Sequence, residues 1–138
     1  MYDQFVDINK KFKASVNLEF DLQNEEKIEE YIPTTDLCDV IKKYIKAFLG
    51  TTSFKATTLA GPYGKGKSYL VLMILYLLSK RSNKALFDKV CKKIKLIDNE
   101  LYDLLIEINE KGYYLLPVII NNNTFSDLNK NFLAALSN

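Results

Sequence analysis

Histidine is absent from this 138-residue chain, and cysteine occurs only twice, at Cys38 and Cys91. Without histidine there is no Ser-His-Asp triad and no Cys-His dyad. Two distant cysteines, neither at metal-ligand spacing, exclude a zinc site. Both lie among apolar residues at helical spacing and read as buried structural thiols. Charge of one sign is not in excess. Nineteen Lys and Arg against 17 Asp and Glu leave a net charge of +2, which provides no concentrated basic face for sequence-independent nucleic-acid binding. The run "KVCKKIK", residues 89–95, reads as a solvated helix face, with a phosphate-backbone contact as the sharper alternative. No basic-then-apolar leader opens the chain. The longest apolar run, 69–78, has ten residues, about half of what a membrane span needs. A cytoplasmic protein without membrane contact is expected.

Glycine is also scarce, and its placement is uneven. Three of the five glycines, together with two lysines, fall between Gly61 and Lys67. Before them, "FKATTLAG" (54–61) is rich in β-branched residues and reads as a strand. After them, a helix from about Lys67 to Lys80 is apolar all round and should be buried on most sides. Elsewhere "ASVNLEF" (14–20) alternates as a short strand would, and "YYLLPVII" (113–120) reads as a strand with Pro117 best placed near an edge. Helical spacing of Leu37, Val40, Ile41, Tyr44, Ile45 and Phe48 predicts a helix capped by Thr34 or Thr35 and stopped by Gly50. A second amphipathic helix in 82–97 turns Leu86, Phe87, Val90, Cys91 and Ile94 inward. A third starts at an Asp98 cap, turns Leu101, Leu104, Leu105 and Ile108 inward, and stops at Gly112. The last begins near Ser126 or Asp127. Strands separated by helical crossovers imply an α/β fold with a parallel sheet and flanking helices.

The loop itself, Gly61-Pro62-Tyr63-Gly64-Lys65-Gly66-Lys67-Ser68, matches G-x-x-x-x-G-K-[ST] at every fixed position. Gly61, Gly64 and Gly66 free the backbone to turn its amides, from Gly64 to about Tyr69, toward phosphate oxygens. Lys67 supplies a point charge for the β- and γ-phosphates and is the candidate catalytic residue. Ser68 offers its hydroxyl to Mg²⁺. The helix that starts here aims its positive N-terminal end at the same anion. Lys65 is either a solvent-facing charge or an extra phosphate contact. Tyr63 is either a rim aromatic or a stacking partner. An accidental match is expected in on the order of 1% of chains this long, so chance is a weak competitor.

This motif resembles the P-loop NTPases, and the resemblance implies ATP and Mg²⁺ as ligands. "PVIINNNTFSDLNKNFLAAL" looks like the second core strand and following helix of AAA+ and STAND-type ATPases, with Asn121 in the polar position at the strand's end. The other reading of "VIINN" is a degenerate Walker B strand. The block "VNLEFDLQNEEKIEEYIPTTDLCDVIKKYIKAFL" joined to "GPYGKGKSYL" is similar to the N-termini of large bacterial phage-defence ATPases of the phage-exclusion type. By that resemblance Tyr31, Ile32, Pro33 and Thr34 are candidates for base contacts, and a structured linker is the plainer reading.

These resemblances imply an N-terminal segment, 1–33, followed by the N-terminal part of a P-loop nucleotide-binding domain, 34–138. No apolar strand ends in Asp or Asp-Glu, so the Walker B acid is missing, and the sheet is expected to be incomplete in this chain. Arg81, the only arginine, lies roughly 20 Å along the helix from the loop and cannot serve as an arginine finger. Two functions stay open. One is the nucleotide-binding part of a larger ATPase, with self-association or other subunits completing it. The other is a nucleotide-sensing module that does not hydrolyse.

Overall fold

The structure is a computed structural model that describes residues 16–51, 57–62, 66–80, 83–120 and 127–136. Among them are seven helices: α1 (Leu18–Asp21), α2 (Glu25–Glu29), α3 (Thr35–Phe48), α4 (Lys67–Leu78), α5 (Lys84–Lys95), α6 (Asn99–Glu110) and α7 (Leu128–Leu136). α5 packs on α6 and α2, α3 packs on α6 and α4, and α1 lies against α4.

The helices form where period and caps agree. Thr34, Asn83 and Asp98 each accept a hydrogen bond from the amide three residues on, at the starts of α3, α5 and α6, satisfying donors that the first helical turn leaves open. α6 ends on Gly112 at φ 66°, a left-handed conformation suited to glycine. Gly112 N–H donates to Asn109 O at 3.2 Å, and Tyr113 N–H to Ile108 O at 3.1 Å. The same paired bonds close α3 at Gly50 and Thr51. The inward faces meet in one core. Leu86, Phe87, Val90, Cys91 and Ile94 of α5 are all buried, as are Leu101, Leu105 and Ile108 of α6, with Leu104 partly so. α4 is buried on several sides through Leu70, Leu72, Met73, Ile74, Leu77 and Leu78. Both thiols are free and buried, and burial is the first cause that pushes the Cys38 thiol up.

The parallel α/β sheet is the expectation that fails: no strand is formed among the described residues. In 16–20 the chain turns into α1 instead. Asn17 N–H donates to the Asp21 carboxylate at 2.7 Å, and Asp21 N–H returns to Asn17 O at 2.8 Å. Such local bonds compete with an extended ladder. Residues 57–60, described from the 54–61 stretch, are irregular and mostly exposed. The 113–120 stretch meets the C-terminal end of α4 in one isolated parallel bridge, Ser79 with Leu115, where Leu115 N–H donates to Leu78 O at 2.7 Å. The reason is physical: β-propensity measures how well side chains fit a pleated, half-buried surface. Here Leu116 is 83% exposed, and Pro117 has no N–H to extend a ladder. No helix in the described residues is long and apolar enough to cross a membrane.

Candidate functional site

The glycine loop leads into α4, and the junction has its own geometry. Gly66 is the N-cap residue, at φ 75° and ψ 11°. This left-handed conformation is costly for a residue with a Cβ. Its carbonyl accepts the first helical bond, from Leu70 N–H at 2.9 Å. No side chain caps this helix, and no acidic residue lies in its first turn. α2, α3, α5 and α6, by contrast, each begin on a capping Asn, Thr or Asp. The positive end of the α4 dipole thus has no side-chain cap and no acidic residue in its first turn.

Lys67 turns back over the loop. Its ammonium donates to Gly61 O at 2.8 Å and Pro62 O at 2.6 Å. Gly61, Pro62 and Lys67 are thereby brought to one place at the helix start. Both carbonyls are neutral acceptors, which an anionic oxygen can replace with a stronger charge-assisted bond. Ser68 is exposed and Tyr69 is half-buried. Tyr63, Gly64 and Lys65 lie outside the described residues, as do Arg81 and Asn121.

Behind the first turn of α4 lies a feature that sequence reasoning missed. The Tyr69 hydroxyl donates to the backbone carbonyl of Lys27 in α2. Its ring sits 5.6 Å from that of Tyr31, tilted by 56°. Tyr31 is 0% exposed. Burial, then the charges of Cys38 and Tyr69, push its phenol up. Burial and the charge of Glu30 push Tyr69 up to about 12. The sequence does not single it out, because α4 carries a second tyrosine, Tyr76, near its other end. The placement also corrects one expectation: the Tyr31 side chain is core and is not presented to a base. Of its neighbours, Thr34 is engaged as the α3 cap, while Ile32 is 71% exposed.

The acidic side chains of α6 lie elsewhere. The Lys42 ammonium meets the Asp98 carboxylate at 2.6 Å and Glu100 at 3.2 Å, and Lys46 meets Glu100 at 2.6 Å. Glu107 pairs with Lys111 along the helix. Burial raises the Asp98 carboxyl, but Lys42 and the Leu101 and Glu100 amides outweigh it and hold it below the usual range. Asp127 accepts Asn129 N–H at 2.9 Å at the start of α7, where it serves the helix terminus. Among the described residues no cluster of three or more Cys, Asp or Glu could hold a metal.

A cleft of about 560 Å³, lined by Leu22, Ile28, Tyr76, Ser79, Leu115 and Pro117 among others, lies at the far end of α4 and includes no loop residue. No protein-family model matches the chain, and no curated protein or solved structure matches it to a significant degree.

Proposed function

We propose that this chain binds a nucleoside triphosphate, ATP with Mg²⁺, through Gly61, Pro62, Tyr63, Gly64, Lys65, Gly66, Lys67, Ser68 and the amide of Tyr69. The observation that carries the proposal is the complete G-x-x-x-x-G-K-S match ending on an uncapped helix start. The residues present fit the ligand. A triphosphate needs amide donors, a mobile cation and a metal-directed hydroxyl. α4 offers the amides, Lys67 the cation and Ser68 the hydroxyl. The Lys67 ammonium gives up two carbonyls and takes phosphate oxygens in exchange. Bound Mg²⁺ would supply charge compensation across the β- and γ-phosphates. This proposal rests on the loop and its helix, and the strand expected before the loop does not support it.

The wider proposal is that the chain is the nucleotide-holding part of a larger cytoplasmic ATPase of the phage-defence kind that its sequence resembles. In that reading other residues or subunits supply turnover. The alternative is a nucleotide sensor that does not hydrolyse. The positions of three acids among the described residues favour binding without turnover. Asp98 and Glu100 are held by Lys42 and Lys46, and Asp127 serves α7. Phosphoryl transfer needs a placed water and charge compensation that the loop alone does not provide.

Calorimetric titration with ATP, with and without Mg²⁺, tests the binding. Wild-type protein should bind saturably. Lys67→Ala should bind about 10- to 100-fold more weakly, as expected when a charged partner is removed from a phosphate. Equal affinity in a folded Lys67→Ala protein contradicts the proposal. Steady phosphate release from the wild type, abolished by Lys67→Ala, would overturn the expectation of no turnover.

A further inference from the structure

The first turn of α4 is tied to a distant part of the chain through Tyr69. This residue follows Ser68 directly, so its side chain and the proposed phosphate contacts belong to the same turn. Its hydroxyl reaches the Lys27 carbonyl, and its ring rests on the fully buried Tyr31. Lys27 and Tyr31 bracket the end of α2. That helix has five residues, far fewer than an isolated helix needs to persist in water. α2 therefore exists because other elements hold it.

The holding contacts are unequal. Asn83 donates to Glu25 at 2.8 Å and Lys89 pairs with Glu29 at 2.9 Å, both at exposed positions. Exposed contacts of this kind contribute little. Lys93 donates to the carbonyls of Glu29 and Tyr31 from α5. The Tyr69 bond, like the Lys27–Asp21 ion pair and the Lys93–Tyr31 bond, is partly buried, and it uses a carbonyl at the helix end, where α2 has no amide of its own to offer. It is the tie that comes from the phosphate helix. Tyr31 also lies three residues before the Thr34 cap of α3.

Resting on the triphosphate reading of the loop, we propose that Tyr69 is a positioning residue that couples the loop to α2. It fixes the first turn of α4 against α2, so ligand at the loop orders residues 25–31, and order in 25–31 favours ligand. The coupling is reciprocal because both sites draw on the opening of one unit.

Hydrogen exchange of the 138-residue protein tests this with Tyr69→Phe, which keeps the ring and removes the donor. Without ligand, Tyr69→Phe should speed exchange in 25–31 and in 66–70 together, by about 2- to 10-fold for one lost hydrogen bond, and leave α5 and α6 unchanged. With Mg-ATP, wild type should slow at both segments. Tyr69→Phe should slow only at 66–70 and bind several-fold more weakly, while Lys67→Ala should slow at neither. Faster exchange confined to 25–31, with wild-type Mg-ATP affinity, makes Tyr69 a packing residue only and overturns the coupling. If Mg-ATP slows nothing in wild type, the triphosphate reading fails by itself. The ligand-free comparison then still decides the tie: joint acceleration supports it, and unchanged 66–70 overturns it.

Discussion

Two regions behave in the opposite order to their apolar content. α5 and α6 are amphipathic and bury their inward faces almost completely. Residues 113–120, more apolar still, form no helix or strand and make one backbone bridge, with Leu116 83% exposed. A helix satisfies its own backbone and asks its neighbours only for an apolar surface. An extended segment must find backbone partners as well as side-chain partners. The difference teaches where stability resides. The helical body should respond to single substitutions, while the non-helical segment and the loop should tolerate them and respond to ligand.

Phe87, on α5, is 1% exposed. Phe87→Ala should destabilise by about 3–5 kcal/mol through lost burial and a residual cavity. Leu116→Ala should change stability by less than about 0.5 kcal/mol. Urea unfolding of the two variants breaks the comparison if they lose equal amounts.

Lys67→Ala sharpens the contrast from the other side. It should reduce Mg-ATP binding by about 1.5–3 kcal/mol, while its midpoint in urea without ligand stays near wild type.

Asp98 joins two roles in the helical body, the α6 cap and the partner of Lys42. Asp98→Ala should cost about 1–2 kcal/mol through the cap alone. Asp98→Asn keeps a capping oxygen and loses the charge, so it should cost less. The folded carboxyl lies below its ordinary value. The stability it contributes is therefore fully present above the ordinary Asp range, near about 3.9, and is lost as pH falls through the lowered folded value. Wild-type stability should begin to lose this contribution only below about pH 4, and Asp98→Asn should flatten that acid limb. An Asp98→Asn profile that parallels wild type below that pH contradicts the assignment.

Ser68→Ala carries the smallest expected effect. It should weaken Mg²⁺-dependent ATP binding more than metal-free binding. Equal small losses in both would make the hydroxyl part of the helix start alone.

The five longer helices, α3 to α7, were legible because each carries its own signals, whereas the short α1 and α2 were not. The period of α5 placed all five inward residues, and Asp98 and Gly112 marked the ends of α6 before any contact was known. The sheet was not, because strand content depends on pairing, which one stretch of sequence does not contain. "ASVNLEF" alternates as a strand would, but Asn17 and Asp21 bond locally and residues 18–20 enter α1. At the site, Gly66 and Lys67 were legible through the fixed spacing of the motif. The Tyr69–Lys27 bond joins residues 42 positions apart and left no mark in either segment. The same holds for Lys42: its place on the polar face of α3 was readable, but its partner on α6 was not.

The most direct test of the central claim is a Mg-ATP titration followed by backbone amide NMR shifts. The account predicts saturable shifts that are largest at Gly66, Lys67, Ser68 and Tyr69, smaller at residues 25–31, and near zero around Leu115 in the far cleft, all lost in Lys67→Ala. Shifts centred on Ser79 and Leu115, or a loop whose amides do not respond to Mg-ATP, would contradict it.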